Sequence, residues 1–214
     1  MGTRERSGTA EMLAAEAARE CVIRERWARD TGQWDEMAAS YYPDTRIAVG
    51  WASCGGAEFI ANTQKLAATS RGQGLHQLGP IQVQVNGDRA FAELPAQIVM
   101  PVQIDGQEAT LFVWERMCFR VEKRQHDWRI AEFRAVYLKD SVAPEYVGDR
   151  MSLDTELLSS YRRSYRYTQY WSNQAGWGNH PDRPGIDRPE LMRAVYDDNA
   201  RWLAEPAQIP SVTF

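Results

Sequence analysis

Two side chains in this sequence are suited to moving a proton near neutral pH, those of Asp30 and His76. The imidazole of histidine has an ordinary pKa of about 6.5, which matches general acid or base catalysis. Asp30 stands at the end of the first predicted helix, where the helix dipole disfavours a carboxylate, so its presence there indicates a functional reason. The alternatives are a loop histidine that caps a strand and an ordinary residue at a helix end.

Aromatic and charged side chains form a second group that could bind a substrate. Tyr41 and Tyr42 precede a turn at Asp44, and one of the two should point inward, to hold a substrate oxygen or to pack in the core. Arg116 shares a strand face with Trp114. If that face is inward, Arg116 could polarise a leaving group or a phenolate, and if it is outward the arginine belongs to an exposed basic strip.

Strand periodicity adds a few more candidates. Glu93 is a further candidate acid, and Tyr137 and Lys139 should share a face at the end of the last strand. A lysine there could donate to a phenolate, although a solvated strand-end lysine is the alternative. The predicted substrate-binding residues are Tyr41, Tyr42, Trp51, Glu93, Trp114, Arg116, Tyr137 and Lys139.

The sequence carries none of the common cofactor or metal motifs. The histidines, His76, His126 and His180, have no metal-ligand spacing, so we predict no metal. Phosphate-binding glycine loops and a serine nucleophile elbow are also missing from the sequence. The three cysteines are widely spaced and form no CxxC motif, which favours a reducing compartment. The enzyme class that fits is acid–base chemistry without a cofactor.

Composition limits the class of protein further. The chain has 214 residues, enough for one domain with an extension, and a net charge of −4, which argues against nucleic-acid and anionic-membrane binding. We find no signal peptide or apolar run long enough for a membrane span, so we expect a cytoplasmic protein. The 8 Trp, 9 Tyr and 6 Phe suit an oligomer interface or a pocket for an aromatic ligand.

Hydrophobic patterning predicts helices first and then an antiparallel meander, so the fold class is α+β. Helices are predicted over residues 11–30, 34–42 and 55–70, and strands over residues 45–51, 81–85, 89–100, 109–121 and 128–138. Tight turns are predicted at Asn86-Gly87 and Asp105-Gly106. We expect a curved sheet wrapped over the long first helix.

The last part of the chain differs in character. Residues 141–153 are predicted as a linker, and residues 155–173 are rich in tyrosine and arginine. A final helix is predicted to begin at the Pro189-Glu190 pair. The predicted organisation is a domain over residues 10–143 and an aromatic-rich extension over residues 144–214 that packs on the barrel or on a neighbouring subunit.

Three segments together resemble the SnoaL-like branch of the nuclear transport factor 2-like (NTF2-like) superfamily, a cone-shaped α+β barrel. They read ARDTGQWDEMAASYYPDTRIAV, LHQLGPIQVQVNGDRAFAE and WRIAEFRAVYLKD. The branch includes scytalone dehydratase, lindane dehydrochlorinase and diarylpropane lyase. The resemblance implies that Asp30 and His76 form a hydrogen-bonded pair, with His76 as the acid or base and Asp30 orienting it.

The resemblance also implies a function, because enzymes of this branch work by proton abstraction and elimination without a cofactor. The expected activity is that of a lyase on a hydrophobic aromatic molecule, such as a lignin-derived diarylpropane that releases formaldehyde to give a stilbene. The alternatives are a non-catalytic small-molecule binder and a structural partner like the small subunit of a ring-hydroxylating dioxygenase. By the same analogy we expect a homotrimer.

Overall fold

The computed structural model describes residues 8–69 and 74–205 of the chain. Its helices are α1 (Thr9–Asp30), α2 (Trp34–Ala39), α3 (Gly56–Thr69), α4 (Thr155–Ser160), α5 (Arg166–Gln174) and α6 (Pro189–Ala204). Its strands are β1 (Tyr41–Val49), β2 (Ala52–Gly55), β3 (Leu75–Leu78), β4 (Gln82–Asn86), β5 (Arg89–Ile104), β6 (Gln107–Arg124) and β7 (Asp127–Pro144). Ser70, predicted in the third helix, and residues 206–214 of the predicted extension lie outside the described residues.

The strands form one seven-stranded sheet in the order β2-β1-β7-β6-β5-β3, with β4 also paired to β5. The long strands β5, β6 and β7 are antiparallel, as predicted. The sheet is nevertheless mixed, since β1 runs parallel to β7. Strands β3 and β4 pair with successive parts of β5 on either side of Pro95, which has no N–H to offer either partner.

The α+β fold predicted from the sequence is confirmed: α1 lies against the inner face of the curved sheet. The apolar positions of β6 that alternate along this face are fully or nearly fully buried. They are Leu111, Val113, Met117, Phe119 and Val121. The α1 residues Ala18, Cys21, Val22 and Ala28 pack in the same core.

Among the element boundaries that differ from the sequence prediction, two have a clear physical reason. The second helix ends at Ala39, and Tyr41 and Tyr42 begin strand β1, because the residue before Pro43 is disfavoured in the helical region. Pro43 falls where the pairing of β1 with β7 is interrupted, so its missing N–H costs no ladder bond. Strand β7 continues to Pro144, through the start of the predicted linker, because β6 begins early enough to pair with it.

A further difference concerns one hairpin turn. The turn between β4 and β5 consists of Gly87 and Asp88, one residue later than predicted, since Asn86 pairs with Arg89. Asp105 and Gly106 form the next hairpin turn as predicted, and both have positive φ.

The C-terminal helices cover both faces of the sheet. Helix α5 contacts β5, β6 and β7, and its Trp171 packs in the main core. Helix α6 lies on the outer face, where Val195 packs against Phe91, Cys118 and Val136. The aromatic residues of the C-terminal segment are therefore used against the barrel within a single chain.

Candidate active site

Asp30 and His76 meet where the last turn of α1 crosses strand β3. Asp30 Oδ1 lies 2.7 Å from His76 Nδ1, and Asp30 Oδ2 accepts a hydrogen bond of 2.7 Å from the backbone N–H of His76. The imidazole side chain is 3% exposed and the carboxylate 16%. The contact predicted for this pair is therefore present. An ionised carboxylate at Nδ1 requires a proton there, which leaves Nε2 as the basic nitrogen.

Two arginines of α1 surround the imidazole. Arg29 Nη1 lies 3.4 Å from His76 Nδ1, and Arg26 Nη1 lies 3.5 Å from Nε2. Burial and the charge of Arg29 lower the pKa of His76 to about 3, although the hydrogen bond that the imidazole donates to Asp30 opposes this change. Burial alone would raise the pKa of Asp30, but its hydrogen bonds with His76 outweigh burial and lower it. The pair at neutral pH is therefore a carboxylate and an uncharged imidazole.

Each of these buried arginines has its own carboxylate. Arg26 forms a salt bridge with Glu25, which also accepts a hydrogen bond of 2.7 Å from the Tyr41 hydroxyl. Arg29 lies 3.2 Å from Asp30 Oδ1. Buried charges without partners are costly, so these pairs allow α1 to carry four charged residues into the barrel. Tyr41 points inward but lies behind Arg26, outside the cavity wall.

The imidazole borders a small cavity of about 40 Å³ between α1, the sheet and α5, which has room for a few water molecules. The apolar part of its wall consists of Val49, Trp51, Phe59, Ile98, Met100, Val113, Met117, Phe133 and Trp171. The polar part consists of Arg26, Arg29, His76, Glu115, Tyr137 and Thr168. Of the residues predicted to bind substrate, Trp51 and Tyr137 line this cavity.

A larger groove of about 1180 Å³ lies next to the C-terminal end of α5. Trp171 lines both the groove and the small cavity. Trp177 also lines the groove and packs edge-on against Trp51, with ring centroids 5.5 Å apart.

Glu115 is a cavity residue that the sequence prediction missed. It is 2% exposed, and burial raises its pKa to about 7, although the charge of Arg26 and a hydrogen bond with Tyr137 oppose the rise. The sequence contains a pattern that could have found it. Every second residue on either side of Glu115, at positions 111, 113, 117 and 119, is apolar. That pattern identifies the inner face of β6, and Glu115 is the acid placed on it.

Six predicted substrate-binding residues, Tyr41 among them, do not line the cavity. Trp114 and Arg116 alternate with Glu115, so they point to the outer face of β6. Arg116 donates a hydrogen bond of 3.1 Å to Glu93, which is on the same outer face and also accepts one of 2.7 Å from Tyr196 of α6. The strand face that carries Trp114 and Arg116 therefore points outward, away from the cavity.

Lys139 and Tyr42 also lie away from the cavity wall. Tyr137 pairs with Glu115 but Lys139 pairs with Trp114, because the register of the two strands shifts by one residue at Leu138. The bulge turns Lys139 to the outer face, where its Nζ lies 5.5 Å from the Trp114 ring. The Tyr42 hydroxyl is bound near the far hairpin, donating to the Asp127 carbonyl at 2.6 Å.

Within residues 8–69 and 74–205, no group of three or more His, Cys, Asp or Glu side chains is arranged to hold a metal ion. In the same part of the chain, no helix has the length and apolar character needed to cross a membrane.

Comparison with known proteins identifies the family. The model of the SnoaL-like domain matches residues 10–134, which is more than half of the chain. Pea pathogenicity protein 2 from Fusarium vanettenii is 25% identical over 211 residues, covering 94% of this chain and 88% of that protein.

Solved structures agree at the level of the fold. A hexachlorocyclohexane dehydrochlorinase, LinA-type3 from Novosphingobium barchaimii, gives a TM-score of 0.55 at 13% identity and covers 68% of this chain and 99% of that one. A protein described as a scytalone dehydratase from Novosphingobium aromaticivorans gives 0.52 at 11% identity, covering 65% and 97%. The chain belongs to the SnoaL-like domain family.

Proposed function

We propose that this protein is a cofactor-independent lyase that eliminates a leaving group from a small hydrophobic molecule. The observation that carries the proposal is the 2.7 Å contact between Asp30 and the ring of His76 at the wall of an apolar cavity. An imidazole held through Nδ1 by a carboxylate, with Nε2 unprotonated, has the arrangement of a general base.

The elimination begins with His76. Its Nε2 takes a proton from a carbon next to an electron-withdrawing group, and the leaving group departs from the adjacent carbon with its bonding electrons. The low pKa of His76 describes a site without substrate, in which Arg26 and Arg29 repel the imidazolium. Negative charge that develops on the substrate would be attracted to the same two guanidinium groups and would stabilise the imidazolium as it forms.

The substrate class follows from the wall of the cavity. Trp51, Phe59, Phe133 and Trp171 offer flat apolar surfaces, which suit an aromatic compound. The substrate that we favour is a phenolic diarylpropane from lignin, which would lose water and then formaldehyde to give a stilbene. A molecule of that size needs a larger space than the present cavity, and it would fit only if Trp171, which lines both the cavity and the groove, moved aside.

Turnover assays test this proposal with three probes: a phenolic diarylpropane, scytalone and hexachlorocyclohexane. The last two are the compounds that appear in the names of the two structural relatives. We expect elimination from at least one probe, and a loss of roughly 10²–10⁴-fold in rate for His76→Ala. His126→Ala is the matched control, because His126 is exposed in the β6–β7 turn.

Two outcomes would contradict the proposal. Full activity of His76→Ala would remove the base from the mechanism. Binding of the aromatic probes without turnover of any of them would favour the non-catalytic alternative, a small-molecule binder or a structural subunit of the dioxygenase type.

A further inference from the structure

We propose that Glu115 is the proton donor to the leaving group, acting opposite His76 in the same cavity. The inference rests on the proposed lyase function and adds a second catalytic residue to it. An elimination that expels hydroxide at neutral pH needs such a donor, because hydroxide is a poor leaving group until it is protonated.

The position of Glu115 is the first support. Its side chain is 2% exposed and lines the cavity that His76 borders, between the apolar neighbours Val113 and Met117. A carboxylate in such surroundings is costly unless a cation is paired with it. The carboxylic acid form, which can donate a proton, is therefore favoured at this site.

The charge balance of the site is the second support. The two buried arginines nearest the cavity already have partners, since Arg26 is paired with Glu25 and Arg29 with Asp30. Glu115 is thus not required as a counterion for either of them. A structural explanation based on neutralising two buried arginines does not account for a third carboxyl group here.

Tyr137 is the cross-strand neighbour of Glu115 on the inner face of the sheet. Its hydroxyl accepts a hydrogen bond of 2.5 Å from the backbone N–H of Gly50. The hydroxyl hydrogen is not used in that bond, so it is free to be donated to a carboxyl oxygen of Glu115, and interaction with Tyr137 opposes the rise of the Glu115 pKa. The second carboxyl oxygen would then carry the proton to be donated.

The two groups at the cavity are tuned in opposite directions. The pKa of His76 is lowered to about 3 and that of Glu115 is raised to about 7. Near neutral pH the histidine is therefore unprotonated and can act as the base, whereas Glu115 is protonated in a substantial fraction of the molecules. Such a separation of environments is the usual way in which one site supplies both an acid and a base.

The proton balance of the step is complete without a co-reactant. His76 Nε2 removes the proton from carbon, the electrons of that C–H bond form the double bond, and the bond from carbon to the hydroxyl oxygen breaks. Glu115 gives its proton to that oxygen, so water leaves. The site ends with an imidazolium and a carboxylate, and a proton passed between them through water restores the starting state.

A leaving-group comparison in the intact protein tests this role. Two substrates would share one benzylic ketone skeleton, with either hydroxyl or p-nitrophenoxide on the β-carbon, so that both give the same enone. Only the hydroxyl compound needs a proton donor, because p-nitrophenoxide leaves as a stable anion. We expect Glu115→Gln to lower kcat/KM for the hydroxyl compound by roughly 100-fold or more and to leave the p-nitrophenoxide compound nearly unchanged.

Two controls make the comparison specific. His76→Ala should lower both rates, since proton abstraction is common to both substrates. Glu122→Gln should lower neither, because Glu122 is on the same strand but its carboxylate pairs with Arg124 outside the cavity. Circular dichroism and thermal melting would verify that the Glu115→Gln protein is folded.

Other results would overturn the proposal in distinguishable ways. Equal losses on both substrates in Glu115→Gln would mean that Glu115 positions other groups and does not donate the proton. Inactivity of the wild-type protein on both would reject the lyase function and, with it, the donor. Infrared difference spectra provide a check without turnover: a protonated carboxyl band at pH 6 that is absent from Glu115→Gln is expected, and its absence from the wild type would contradict the donor.

Discussion

Asp30 binds His76 at two points, with one carboxylate oxygen on the backbone N–H and the other on ring Nδ1, each at 2.7 Å. The ring is therefore oriented relative to its own backbone, and neither oxygen can be replaced by a donor without losing a bond. The basicity of Nε2 depends on this double contact, since Asp30 determines which ring nitrogen carries the proton.

Asp30→Asn tests this relationship directly. The amide has one acceptor oxygen and one donor group, so it can satisfy only one of the two N–H groups of His76. We expect the ring nitrogens of His76, followed by nitrogen NMR, to change from a single Nδ1–H tautomer to a mixture. Asp35→Asn, an exposed substitution in the first turn of α2, should leave the spectrum unchanged.

The stability of the protein should reflect the burial of His76. The pKa of His76 falls from its ordinary 6.5 to about 3 in the folded protein, so between these values the unfolded chain binds more protons. His76 should therefore reduce the free energy of unfolding as the pH falls through this window, by at most about 1.4 kcal/mol per pH unit. Urea titrations of His76→Gln should show a shallower acid slope than the wild type, and an unchanged slope would contradict the burial of a neutral imidazole.

Glu115 should have the opposite pH dependence. Its pKa is raised from 4.5 to about 7, so between these values the folded protein binds more protons and stability falls as the pH rises. Replacing it by Gln removes this loss, and we expect Glu115→Gln to be more stable than the wild type at pH 8 by up to about 3 kcal/mol. The difference should disappear at pH 4, where both forms are neutral, and urea titrations at the two pH values measure it.

The Asp30–His76 contact could be predicted because both residues fall within sequence segments that resemble the family. The inner face of β6 could also be predicted from the sequence, because Val113 and Met117 alternate with Glu115 along the strand. Trp114 and Arg116, which were predicted to bind substrate, lie on the opposite face of the strand. Alternating apolar positions are the stronger guide to the buried side of a strand.

Other features of the site depend on tertiary structure that local patterns do not contain. The bulge at Leu138 places Tyr137 inside and Lys139 outside, although their spacing of two predicts a shared face. The small volume of the cavity depends on where α5 packs, and therefore on Trp171. Nothing in the spacing of residues 155–173 specified that position.

Gly50 should be necessary for the placement of Tyr137. A Cβ atom at this position would lie 2.7 Å from the Tyr137 hydroxyl oxygen, which is too close for ordinary packing. We expect Gly50→Ala to lower the free energy of unfolding by about 1–3 kcal/mol, as overpacking does. In a Tyr137→Phe background the same substitution should cost less, and a double-mutant cycle with no coupling between the two sites would contradict this contact.

Self-association is the last prediction, and it concerns the outer surface of α1. Ile23 and Trp27 lie one helical turn apart there and are 39% and 58% exposed, while Leu75 of β3, a strand that contacts α1, is 57% exposed. Side chains of this kind are favoured at protein interfaces, and we propose that they are covered in a homotrimer. Trp27→Glu would introduce a charge into such an interface, so we expect light scattering to give a trimer for the wild type and a smaller species for the variant. Glu156→Gln, an exposed substitution in the first turn of α4 and away from α1, should not change the mass. A wild-type particle of 24.4 kDa at micromolar concentration would contradict the trimer.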